Sequence, residues 1–165
     1  MPGIGYQELA RNAVVKSTLA GGLAAAALDI VYAFIVYAPR QISPTMILQS
    51  IASGLLGSEA YKGGNSSAAL GMSIHVTIAL LMALAFTLAS IRRRDLIQRP
   101  FRWGIAYGLF LYALMNYVVL PLSAFPHPTM LPPLPLLIGG LAIHALGVGL
   151  PISLAARHFA MRTGD

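Results

Sequence analysis

The chain has 165 residues, of which 57% are hydrophobic and 10% charged, whereas a soluble domain carries about a quarter charged residues. That balance excludes an ordinary soluble enzyme, and the lack of cysteine excludes a disulfide framework, a Cys-based zinc site, an iron–sulfur cluster and a thiol nucleophile. Eleven Lys+Arg against five Asp+Glu give a formal net charge of +6, which on so apolar a chain points to membrane topology before nucleic-acid binding.

A helix that crosses a bilayer needs roughly 20 mostly apolar residues. Runs of that kind predict spans at about 17–38, 68–91, 103–120 and 134–156, which leave no room for a soluble domain of normal size. The expectation is one integral-membrane domain over residues 1–165. The first span follows Arg11 and Lys16 as a signal sequence would, but it is long and carries Asp29, so it reads as a retained helix.

After it, Pro44–Gly57 places Met46, Ile47, Ile51, Leu55 and Leu56 near helical spacing between a starting Pro and a closing Gly. This predicts a short interfacial helix, lying at the outer surface or dipping into the bundle mouth, because so short a helix cannot span. Lys62–Ser67 reads as the turn that caps the second span. The loop between the second and third spans carries Arg92, Arg93, Arg94, Arg99 and Arg102. These read as a topology anchor at lipid headgroups, since no basic helix or aromatic platform for nucleic acid accompanies them. The third span exits into a Pro-rich loop from Pro121 to Pro135, predicted to be stiff and extended like a lid, with His127 as a surface histidine.

With the N-terminus inside, the inner side holds Arg11, Lys16, Arg92, Arg93, Arg94, Arg99, Arg102, Arg157 and Arg162, and the outer side holds Arg40 and Lys62. This bias places both termini in the cytoplasm.

The two halves also match in order. Gly21 precedes Asp29 by the same eight positions that separate Gly108 from Asn116, and Gly71 precedes His75 by the same four that separate Gly140 from His144. The fold expected is therefore all-α: a four-helix transmembrane bundle built from two parallel two-helix repeats related by an axis along the membrane normal. Asp29, His75, Asn116 and His144 then share a depth in the outer half of the bilayer. Costly polar groups of this kind face the bundle interior, so they are expected to meet in a buried protonatable cluster. Tyr32 and Tyr112 lie one turn from Asp29 and Asn116 and are expected to join it. The alternative is hydrogen-bonding glue between helices, with small-residue faces at Ala20–Ala25, Gly104, Gly108, Gly139, Gly140, Gly147 and Gly149 for close packing and Pro151 as a kink.

No nucleophile elbow, phosphate loop or H-E-x-x-H motif is present, so the usual hydrolytic and phosphoryl-transfer sites have no support, and an intramembrane hydrolase with Asp29, His75 and His144 as acid/base groups is the weakest reading. Three functions remain open. The first is a non-enzymatic membrane component, an accessory subunit or stress-response protein; the second is a small permease or proton/ion pathway through the quartet. The third is a haem b or metal-binding protein with His75 and His144 as ligands, joined by Asp29 for a divalent metal. Lipid is the certain partner; complex subunits or a second copy of the chain are compatible with four small spans.

Short motifs carry a resemblance: Ala20-Gly-Gly followed by Pro39-Arg40, Gly71-Met-Ser-Ile-His75, Leu120-Pro-Leu-Ser-Ala-Phe-Pro-His-Pro128, and Gly140-Leu-Ala-Ile-His144. In these the chain resembles the YagU-type small four-span proteins of the bacterial inner membrane. The resemblance implies that location and a link to acid resistance, but no catalytic residue; the outer-loop polar segments of that family are abbreviated here.

Overall fold

A computed structural model of the chain describes residues 4–126 and 132–161. His127, Pro128 and Arg162 lie outside the described residues. Helix α1 runs Ile4–Tyr37, α2 Pro44–Leu56 and α3 Gly64–Arg92. A short turn of helix, α4 (Asp95–Gln98), leads into α5 (Pro100–Leu122), and the chain closes with α6 (Leu134–Ala160). Four segments, Arg11–Arg40, Gly64–Arg92, Pro100–Leu122 and Leu134–Ala160, are long and apolar enough to cross a membrane. The protein is all-α: four long apolar helices form a membrane-spanning bundle, with an extra helix between the first two spans.

The distribution of side chains is that of a lipid-facing bundle. Leu19, Leu23, Leu28, Val31 and Ile35 point outward from α1 at helical spacing, and Leu81, Leu88, Phe101 and Phe110 do so from α3 and α5. The interior is built largely from small residues, with Ala25, Ala52, Ala83 and Ala156 buried around Phe86, Leu111, Val148 and Ile152. In a bilayer, helices gain by packing and hydrogen bonding rather than by escaping water, and small residues let the backbones approach. Helices α5 and α6 approach closely: a Cβ at Gly108 would overlap the His144 carbonyl oxygen, and one at Gly149 would overlap the Gly104 carbonyl oxygen. Buried hydroxyls add glue towards the arginine-bearing end. Ser17 Oγ and Thr87 Oγ1 lie 2.9 Å apart between α1 and α3, and Ser153 Oγ donates to the Pro100 carbonyl at 2.8 Å between α6 and α5.

Helix α1 packs on α3 and on α6, and α6 packs on α5 and, through its second half, on α3; α3 and α5, though consecutive spans, have little direct backbone packing. Helix α2 packs along α3, where a Cβ at Gly71 would overlap the Leu48 carbonyl oxygen. Ser43 caps its start by accepting from the Met46 N–H at 3.2 Å, and Gly57 ends it at φ +58°, a conformation suited to glycine. Of the two placements open to this helix, it takes the one at the bundle mouth. The Ala124 N–H donates to the Gly54 carbonyl at 2.9 Å and so ties the α5 exit to α2.

The two ends of the Pro-rich segment are helical where its composition predicts an extended chain, and residues 127–131 between them lie outside the described residues. Pro121 lies within α5 and Pro135 in the first turn of α6, where a missing N–H costs no hydrogen bond. Helix α5 tolerates Pro121 because residues Met115–Val119 widen into a π turn, the Leu120 N–H reaching back five residues to the Met115 carbonyl. In α6 the same device precedes Pro151: His144–Gly149 form a π turn, and the Leu150 N–H reaches the Ala145 carbonyl. A proline clashes with the carbonyl four residues back, and a widened turn relieves that clash. Thus Pro151, expected as a kink, is accompanied by a π turn that begins at a histidine.

Candidate functional site

Asp29 of α1, His75 of α3, Asn116 of α5 and His144 of α6 all line one cavity of about 490 Å³ below α2. Ile47, Ser50 and Ile51 of α2 form its wall towards the loops, and Ala26, Ile78, Val119 and Val148 make most of the remainder apolar. Each long helix thus contributes one of the polar side chains singled out in the sequence.

They share the cavity without forming the mutual hydrogen-bond network expected of them. His75 Nε2 lies 3.0 Å from the Ala26 carbonyl of α1. A carbonyl only accepts, so Nε2 is the donor. His144 Nδ1 lies 3.0 Å from the Gly140 carbonyl and is the donor by the same argument. Asn116 Nδ2 donates to the Tyr112 carbonyl at 2.8 Å. Inside a membrane the backbone carbonyl is the acceptor always at hand, and three of the four groups use one. The bonds of Asn116 and His144 both run to the carbonyl four residues back, at the start of the two π turns, where they compete with the helical ladder.

Asp29 differs. His144 Nδ1 lies 3.9 Å from its Oδ1, and among the described residues no hydrogen bond is made by its carboxyl group. The Asp29 and His144 side chains keep 26% and 18% of their surface exposed, which decides that the pair opens into the cavity and is not sealed in packing. The two tyrosines stand behind this pair and do not join it. Tyr112 is buried and meets the His144 ring edge-on with centroids 5.2 Å apart, and the Tyr32 hydroxyl lies against Gly139, where a Cβ would overlap it. Their helical spacing brought them to the right level but not round to the cavity.

Among the described residues no three His, Asp or Glu side chains come close enough to hold a metal ion. Bis-His ligation of a haem is not favoured either. With Nε2 of His75 bonded to Ala26, that ring would have to offer Nδ1, the nitrogen crowded by its own Cβ. The expectation of haem or metal at His75 and His144 therefore finds no support in the geometry.

At the opposite end of the bundle Arg92, Arg93, Arg94, Arg99 and Arg102 are all exposed. Trp103 Nε1 donates to Asp95 Oδ2 at 2.8 Å and fixes the α4 turn, and the Arg102 guanidinium lies 5.7 Å from the Trp103 ring centroid.

Sequence reasoning missed the α2 wall and Tyr107. The amphipathic pattern of 44–57 shows a helix but not which residues cover a cavity. A tyrosine among lipid-facing residues does signal a partner for its hydroxyl, and Tyr107 Oη donates to the Met82 carbonyl of α3 at 2.8 Å.

These features define a multi-pass membrane bundle with a polar cavity at one end. No known protein family, curated protein or solved structure matches the chain. The resemblance to YagU-type proteins therefore rests on the short motifs quoted above.

Proposed function

We propose that the chain is a non-enzymatic membrane component, one integral-membrane domain over residues 1–165, that holds a small solute or ion between its two hairpins in the manner of a permease. The observation that carries this reading is the Asp29 carboxylate, which opens into a shared cavity with no hydrogen bond and with His144 Nδ1 at 3.9 Å. A carboxylate inside a membrane is expensive, and one used as glue would be bonded to another helix. His75, bonded from α3 to α1, is such glue; Asp29 is not.

The excess of Lys and Arg at the end away from α2 supports an orientation with both termini in the cytoplasm and the cavity towards the outer face, with Arg92–Arg94, Arg99 and Arg102 at anionic headgroups. The bacterial inner membrane and the link to acid resistance that the YagU resemblance implies belong to the same reading. The pairing of a Gly-to-polar interval in each hairpin supports descent from a two-helix repeat.

Proton movement tests the reading. Vesicles containing the purified protein and an internal pH dye are given an acid jump from outside. Acidification faster than in protein-free vesicles is expected, reduced to the protein-free rate by Asp29→Asn and unaffected by Arg157→Gln. Wild-type vesicles no faster than protein-free ones would overturn the permease reading and leave an accessory subunit, recognised by co-purification with a larger complex.

A further inference from the structure

The bundle is open along one side. Helix α3 packs on α1 and on the second half of α6, and α5 on α6, while α3 and α5 meet chiefly through Tyr107: its ring lies 5.0 Å from that of Phe86 at centroids, and its Oη donates to the Met82 carbonyl. Beside this bridge lies an apolar groove of about 570 Å³, lined among others by Leu81, Ala85 and Phe86 of α3 and Ala106, Phe110 and Leu114 of α5. Met82 lines both the groove and the polar cavity, so the two adjoin there. Ala85, a lining residue of the groove, lies ten residues or about 15 Å along α3 from His75, a span that an ammonium at Asp29 with an extended chain of about ten carbons covers. Within a bilayer it faces hydrocarbon, which is what fills an open apolar groove.

The polar end has a sign. Among the described residues no Lys or Arg lines the cavity, and Asp29 is the one Asp or Glu side chain there. An anionic headgroup would be repelled there, and a neutral one would leave the carboxylate uncompensated in a low-dielectric site.

We propose that the cavity takes a lipophilic cation, an ammonium group on a single hydrocarbon chain, that enters sideways from the bilayer between α3 and α5. The ammonium sits at Asp29 and the chain lies in the groove past Met82 and Tyr107. This inference rests on the cavity reading and adds to it the chemical class of the ligand and its route.

The test uses tritiated decyltrimethylammonium with the purified full chain in nanodiscs of zwitterionic phospholipid, empty discs being subtracted. Saturable binding is expected, at least about tenfold tighter than that of tetramethylammonium and weakened at least about tenfold by Asp29→Asn. Ala85→Trp and Ala106→Trp, made separately at exposed groove positions so that one misfolded variant does not end the test, should weaken decyltrimethylammonium and leave tetramethylammonium unchanged. Equal affinity of the two cations, or full decyl binding in both tryptophan variants, overturns lateral entry. Loss of all saturable binding overturns the ligand class; the cavity reading then stands or falls separately, on the Asp29-dependent proton flux.

Discussion

Gly149→Ala is expected to destabilise the protein by about 3 kcal/mol, a large loss for one methyl group, because the atoms it meets belong to backbone and cannot swing aside. Its Cβ would overlap the Gly104 carbonyl oxygen and lie 2.5 Å from the Gly108 backbone nitrogen; Gly108→Ala, whose Cβ would overlap the His144 carbonyl oxygen, should cost a similar amount. Relief requires α5 and α6 to separate, and that separation would move Asn116 and His144 apart. Gly54→Ala is the control, since its Cβ meets nothing nearer than Ser123 at 3.9 Å and alanine favours the helix by about 1 kcal/mol. Reversible unfolding of the three variants in bicelles should give two large losses and one neutral or stabilised protein. Equal stability for all three would mean that the α5–α6 contact is not where the bundle is held.

Asp29→Asn is expected to raise stability by about 1 kcal/mol while abolishing proton flux and cation binding. Among the described residues the wild-type side chain has no hydrogen bond to lose, and His144 Nδ1 is 3.9 Å away, so substitution removes an acidic group from within the membrane and breaks no bond. His144→Ala should do the opposite and destabilise by about 1 kcal/mol. It deletes the bond to the Gly140 carbonyl and the edge contact with Tyr112. The contrast separates a side chain kept for binding from one that also holds the helix in place. A less stable Asp29→Asn protein would assign Asp29 to packing.

The four spans are legible because the period and length of the apolar runs leave few alternatives, and the helix at Pro44 because Ser43, Pro44 and Gly57 mark its ends. The level of Asp29, His75, Asn116 and His144 follows from counting along helices of fixed rise. Their bonding does not, since each polar side chain chooses between its neighbours and a backbone carbonyl, and the choice turns on ångström-scale helix rotation. Tyr32 shows the limit: one turn from Asp29, it faces Gly139 instead of the cavity. The π turns had a signal in the Leu-Pro pairs at 120–121 and 150–151, each preceded by a polar residue able to bond its own helix. The opening between α3 and α5 had none, because the sequence does not say which consecutive helices remain apart.

Water reaches the polar side chains of the cavity if Asp29 serves a solute or ion, and the cysteine-free chain allows a direct test. Asn116→Cys lines the cavity, and Val118→Cys, two residues on, replaces a side chain exposed on the outside of the bundle, where lipid lies. In nanodiscs a charged, water-soluble thiol reagent needs water and a thiolate to react, so the cavity cysteine should be modified at least about tenfold faster than the lipid-facing one. Equal rates, or an Asn116→Cys protein as inert as the Val118→Cys one, would contradict the existence of the site.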